Sequence, residues 1–244
     1  TKLKREGRIH EHPKYGYQLS DAMLSRIHAM LHHAMKDAVG AHLIAKNPTE
    51  GTVVPKPNYR PKQILNEEQL DTFLEAVEQD EVWRDFFYTE LTTGLRRGEL
   101  LALLWTDLDV ENMTISVSKQ VNRINGELVV SQPKTPNSIR RLAIPQRAVE
   151  LLVEEHAKHP HSPYLFVSPK TGTMFDPDSF RHTHEKSLKA IGAEHIRFHD
   201  LRHTFATLSL KYGVDVKTLS GALGHYDACL LYTSPSPRDM RRSR

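Results

Sequence analysis

From Ser20 to Ala45, apolar side chains return at helical spacing. Met23, Leu24, Ile27, Met30, Leu31, Met35 and Ala38 fall on one stripe. Ser20 stands just before them as an N-cap. The pattern predicts a long amphipathic helix with a Met-rich packing face. Pro48, Pro55, Pro57 and Pro61 follow. Each pushes the residue before it out of the helical region, so residues 47–62 read as an extended linker. Beyond it, Asn66 and Gln69 have capping-box spacing. Leu70, Phe73, Leu74 and Val77 make one helix face; Val82, Phe86, Phe87 and Leu91 make the next. Gly94 interrupts, and Arg97 to Trp105 resumes a helical pattern.

The periodicity then changes. Residues 113–121 (MTISVSKQV) and 127–133 (ELVVSQP) have strand character, with Asn125-Gly126 between them as a hairpin turn. Arg141 to Ile144 suits a third strand. Helical patterns return at about 146–157, 177–191, 200–212 and 216–223. The expected fold is mainly α with a small antiparallel β-sheet, in a unit that begins near Ile64. No internal repeat interrupts it.

Composition narrows the class. Hydrophobic content of 39% and charged content of 26% suit a globular protein. No run of 18 apolar residues suggests a membrane span, and no signal-peptide pattern opens the chain. One cysteine, Cys229, excludes an intramolecular disulfide framework and suits a reducing, cytoplasmic setting. The formal charge of +3 misleads, because residues 229–244 carry Arg238, Arg241, Arg242 and Arg244 against Asp239 alone. Elsewhere charge is uneven: residues 1–62 hold 11 Lys/Arg against 5 Asp/Glu, and residues 63–112 hold 3 against 13. Basic blocks can meet phosphate or simply be solvated.

Polar clusters mark candidate chemistry. His28, His32 and His33 lie together, but no Cys or carboxylate joins them at metal-ligand spacing. In Thr93-Gly94-Leu95-Arg96-Arg97-Gly98-Glu99-Leu100, Arg96 follows a glycine turn at a helix start, where it can face an anion. Glu99 is within helical reach to orient it. Pro133-Lys134-Thr135 puts a lysine at the edge of a hairpin. In His199-Asp200-Leu201-Arg202-His203-Thr204, residues 199, 202 and 203 share one helix face. An i, i+4 His pair also occurs in zinc hydrolases, but position 200 is Asp and no third ligand is evident. Taken singly, each cluster also suits a solvated polar surface.

The order TGLRRGE, PKT, HDLRHT, LGH resembles the tyrosine recombinase (phage integrase) family, over residues 20–227. The resemblance implies a catalytic recombinase domain at 61–228. It also implies the C-terminal part of a helical core-binding domain, plus linker, at 1–56. It implies no metal and no cofactor. The implied reaction is DNA strand cleavage and rejoining through a 3′-phosphotyrosyl link. Arg96 and Arg202 would clamp the phosphate, Lys134 would be the general acid, and His199 a base or hydrogen-bond partner. His225 would donate to the phosphate, with Glu99 and His203 supporting. Arg97, Arg140 and Arg141 would touch only the DNA backbone. The expected partners are double-stranded DNA, three further copies in a homotetramer, and DNA-bending accessory proteins, with no membrane.

The nucleophile is where the pattern departs. The family places its tyrosine nine or ten residues after the His of LGH, where Ser234 and Pro235 stand here. Tyr226 and Tyr232 are the tyrosines nearby, which leaves Tyr232 as the candidate. Residues 229–244 lack helical periodicity and read as a non-native or disordered tail. The readings left open are therefore a recombinase, an inactive DNA-binding fragment of one, and a metal-dependent hydrolase built on His199 and His203.

Overall fold

The computed structural model describes residues 2–13, 15–56, 63–133, 138–193 and 196–224. The chain divides into two compact units, Thr1–Pro61 and Lys62–Arg244. The division falls within the proline-punctuated stretch.

In the first unit, α1 (Lys2–Glu6) packs on α2 (Asp21–Gly40). Ser20 caps α2 as its sequence predicts, its hydroxyl accepting the Met23 N–H at 3.2 Å. The helix stops at Gly40 instead of continuing to Ala45. There the Ala41 N–H turns back to the Asp37 carbonyl and His42 takes a positive φ of 59°. The chain then returns to the middle of α2. Asn47 donates to the His32 carbonyl at 3.0 Å, and Thr49 Oγ1 meets His32 Nδ1 at 2.8 Å. His32 thus ties the returning chain down. The expected packing face of α2 is largely open within this unit, with Met30 65% exposed and only Leu24 buried. The reason is that α1 has five residues, none of them buried.

The second unit holds the core. Its helices are α3 (Glu67–Glu78), α4 (Arg84–Thr93), α5 (Arg97–Leu101), α6 (Gln146–Lys158), α7 (Arg181–Ala190), α8 (Phe198–Lys211) and α9 (Val216–Leu223). Both capping-box bonds of α3 form: Gln69 N–H to Asn66 Oδ1 at 2.7 Å and Asn66 N–H to Gln69 Oε1 at 3.2 Å. Val82 does not join the core, because Asp80 accepts the Val82 and Trp83 N–H groups and holds them in a turn. From α4, Phe86 and Phe87 meet Phe73, Phe180, Phe198 and Trp83 in edge-to-face, stacked and tilted contacts at 5.4–6.4 Å. Such rings bury about 150–250 Å² each and dominate the core.

The strands form two small antiparallel sheets. β1 (Leu108–Asp109), β2 (Thr114–Val117) and β5 (Arg140–Ala143) make one, in the order β1-β2-β5. β3 (Gln120–Ile124) and β4 (Glu127–Ser131) make the other. The turn is the one expected: Asn125 and Gly126 both have positive φ, 52° and 90°. The run 113–121 is divided between the two sheets at Ser118-Lys119, where Lys119 leaves to bind Asp107 at 2.6 Å. Helix α5 also ends earlier than its pattern suggests. Trp105 gives its N–H to the Pro163 carbonyl at 2.8 Å, and a 3-10 turn over Trp105–Asp107 replaces further helix. α5 lies against β3 with no room to spare: a Cβ on Gly98 would sit 2.5 Å from the Val121 carbonyl oxygen.

Candidate active site

Three chain segments meet where α4 turns into α5. Gly94 ends α4 at a φ of 60°, a conformation that suits glycine, and a Cβ there would strike the Phe205 ring at 2.4 Å. The turn delivers Arg96 to the start of α5. Its backbone N–H donates to Glu99 Oε2 at 2.9 Å and its Nη1 to Glu99 Oε1 at 2.8 Å, the three-residue spacing having put the two within reach. Arg96 Nη2 donates to the Gly224 carbonyl at 3.2 Å. From α8, Arg202 donates through Nη1 to the Gly94 carbonyl at 2.5 Å and through Nη2 to the Leu223 carbonyl at 2.6 Å. Both guanidiniums therefore hold the C-terminal end of α9. Burial, and then the neighbouring Arg96 charge, push Arg202 down to about 10. It remains charged at any physiological pH.

The first turn of α8 is built for rigidity. Asp200 accepts the Arg197 backbone N–H at 2.9 Å, and its carboxylate takes Arg197 Nε and Nη2 at 2.9 and 2.8 Å. Burial pushes the Asp200 carboxyl up, but these bonds outweigh it and leave the group below its ordinary range. His199 of this turn and His203 of the next face each other edge to face, ring centroids 5.0 Å apart. His199 is exposed and His203 is buried.

Arg140 is where the sequence reading needs correction. Its side chain does not face outward to solvent. Only 7% of its side chain is exposed, and it donates through Nη2 and Nη1 to the two Glu99 oxygens at 2.9 and 3.1 Å. It also donates to the Ala222 carbonyl at 2.6 Å and the Ser138 carbonyl at 2.9 Å. The signal was available: on β5, alternation puts Arg140 on the inward face of Leu142 and Arg141 on the outer one. Glu99 thus bridges two arginines. Burial raises its carboxyl, but the Arg140 and Arg96 bonds hold it below its usual value. Arg97 is half-exposed, 3.2 Å from Asp178.

The expected site residues Arg96, Arg202, Glu99, His199 and His203 thus lie on α5 and on the opening turns of α8. Lys134, His225 and Tyr232 lie outside the described residues. Their described neighbours Ser138 and Gly224 both accept hydrogen bonds from the arginine network. Among the described residues, no three or more His, Cys, Asp or Glu side chains gather as a metal site, and no helix is long and apolar enough to cross a membrane.

The profile of the phage integrase family matches residues 63–231. The chain belongs to that family. Among curated relatives of this phage integrase-family chain, the ICEBs1 integrase of Bacillus subtilis (strain 168) is 30% identical over 219 residues, covering 85% of this chain and 59% of the relative. The chain therefore spans about six-tenths of the length of such relatives. The Tn1549 transposon integrase in complex with transposon right end DNA superimposes with a TM-score of 0.78 at 24% identity, covering 92% of this chain and 79% of that one. A lambda integrase tetramer bound to a Holliday junction gives 0.57 at 18% identity, covering 91% and 67%. The mainly helical fold with small antiparallel sheets is therefore that of tyrosine recombinase catalytic domains.

Proposed function

We propose that the chain acts as the strand-exchanging part of a site-specific DNA recombinase, working through a 3′-phosphotyrosyl intermediate. The observation that carries this reading is the convergence of Arg96 and Arg202, from separate elements, on the end of α9. A guanidinium stays charged and its fork matches phosphate oxygens. Each of the two has five N–H groups, and the bonds described above use two side-chain N–H groups of each, leaving others for a phosphodiester. In this reading the two arginines hold the non-bridging oxygens of one phosphate. The Tyr232 phenol oxygen forms a bond to phosphorus while the bond to the 5′-oxygen breaks. The phenol proton passes to His199, and the leaving oxygen takes a proton from Lys134. His225 donates to the phosphate, while Glu99 and His203 hold the arginine and histidine in place. One phosphoester replaces another, so no external energy source enters. The reading needs no metal or cofactor, works on duplex DNA as a homotetramer with DNA-bending accessory proteins, and places the protein in the cytoplasm.

The test is a duplex library incubated with the chain and resolved under denaturing conditions. A protease-sensitive covalent protein–DNA adduct is expected, falling about 10²–10³-fold or more in Arg96→Ala and Arg202→Ala. An adduct that survives both substitutions would overturn the assignment.

A second reading rests on one observation. Tyr226 and Tyr232 stand one and seven residues past His225, not nine or ten. In that case the chain is a DNA-binding fragment without a nucleophile. It would then retard duplex DNA and never form the adduct.

A further inference from the structure

Glu90 lies on the last turn of α4 and is 1% exposed. Neither carboxyl oxygen has a hydrogen-bond partner among the described residues. The strand-exchange reading makes no use of it. Its position ties it to the arginine pair. The Glu90 carbonyl accepts the Gly94 N–H at 2.7 Å, and the Gly94 carbonyl accepts Arg202 Nη1 at 2.5 Å.

The charges that face it are few. Arg202 on α8 favours its ionised form, and Glu99 on α5 opposes it. Glu155 and Lys158 of α6 gather around Arg84 and Asp85 at the opposite end of α4. The buried face of α3 brings Phe73 and Val77, which carry no charge. Burial dominates and pushes the Glu90 carboxyl well above the ordinary carboxylate range. The physical reason is general: an interior carboxylate without donors is so unfavourable that it takes up a proton instead. An ionised Glu90 would oppose the Arg202 charge and weaken its hold on an anion. A neutral Glu90 leaves that charge free.

We propose that Glu90 is a positioning residue for Arg202, held as a neutral acid while the arginine pair carries a phosphodiester, so that anion binding there takes up as much as one proton at Glu90, according to how much of it is ionised beforehand. This rests on the reading of Arg96 and Arg202 as a phosphate clamp. The proton comes from solvent onto a carboxylate oxygen, and no bond of the ligand changes. Linkage makes the effect reciprocal: anion affinity falls with rising pH, by at most about tenfold per pH unit for one proton.

The experiment uses the full chain and sulfate, whose charge is constant over the range in question. Sulfate binding is measured by calorimetry at fixed ionic strength, in two buffers of different protonation enthalpy. The wild type takes up a fraction of a proton per sulfate, and its affinity falls as pH rises. Glu90→Gln keeps the shape and the neutral state. It loses the uptake and keeps its acid-side affinity throughout. His199 and His203 are present in both proteins, so the difference between the two isolates Glu90. Equal proton uptake in wild type and Glu90→Gln overturns the proposal. Should Glu90→Gln fail to fold, the infrared C=O stretch of the protonated acid in the wild type decides: a band that sulfate does not strengthen overturns it. Sulfate bound equally well by Arg202→Ala instead sinks the clamp reading itself, a result distinct from either.

Discussion

Glu90 and Glu99 stand nine residues apart on either side of the Gly94 turn, and each is 1% exposed. Their chemistry is opposite. Glu99 accepts four hydrogen bonds from Arg96 and Arg140, and is held below its usual range. Glu90 accepts none among the described residues, and is held well above it. Depth of burial therefore does not fix the protonation of an interior carboxyl; the donors around it do. The pair also divides the labour of the site. Glu99 fixes where the arginines sit, while Glu90 governs how much of the Arg202 charge is uncompensated.

The largest effect should come from removing the saturated member. Glu99→Ala leaves the buried Arg140 guanidinium without its counter-charge, and breaking such a pair costs about 3–5 kcal/mol. Chemical denaturation is the measurement. A loss under about 1 kcal/mol would mean that Arg140 does not depend on Glu99 for its stability.

His184 extends the comparison to a base. It sits among Phe73, Phe87, Phe180 and Phe198, with Nε2 unpartnered among the described residues, and burial lowers it to about 4. The unfolded state then binds more protons than the folded one, so stability falls as pH drops from about 6.5 toward 4. The loss reaches about 3 kcal/mol by the scale of 1.36 kcal/mol per pKa unit. Melting scans across that window should show it, and His184→Phe should flatten the curve. An unchanged slope in that variant would place the acid sensitivity elsewhere.

The smallest effect is at Glu90 itself. Its raised folded-state value means the folded protein binds the extra proton, so its contribution to stability is full at low pH and is lost as pH rises. Glu90→Gln should match the wild type in acid and melt higher at alkaline pH. A constant difference between the two proteins at all pH values would contradict the neutral-acid picture.

Much of this was legible in the sequence because the signals are local. The α3 capping box, the Asn125-Gly126 turn and the Ser20 cap each depend on residues within a few positions of one another. The role of Glu99 toward Arg96 is local in the same way, three residues along one helix. What was not legible depends on distant partners. Arg97 to Trp105 carries a helical pattern, yet Pro163 captures Trp105 and stops it. The run 113–121 alternates like one strand, but the Lys119–Asp107 pair divides it. Arg140 looked like a surface cation because nothing nearby in sequence announces Glu99 or the Ala222 carbonyl as its partners. The parity of β5 would have settled its direction. The open face of α2 had no sequence signal at all, since an apolar stripe specifies only that something should cover it.

Gly98 has a consequence for reach. With its Cα hydrogen facing the Val121 carbonyl, it acts as a shim of zero thickness between α5 and the β3–β4 hairpin. A single methyl inserted there must lever the two apart. The lever has one arm on the Arg96 turn and the other on β3, whose Val121 pairs with Val130 of β4. The tolerance of the whole arrangement is therefore set by the one side chain it lacks.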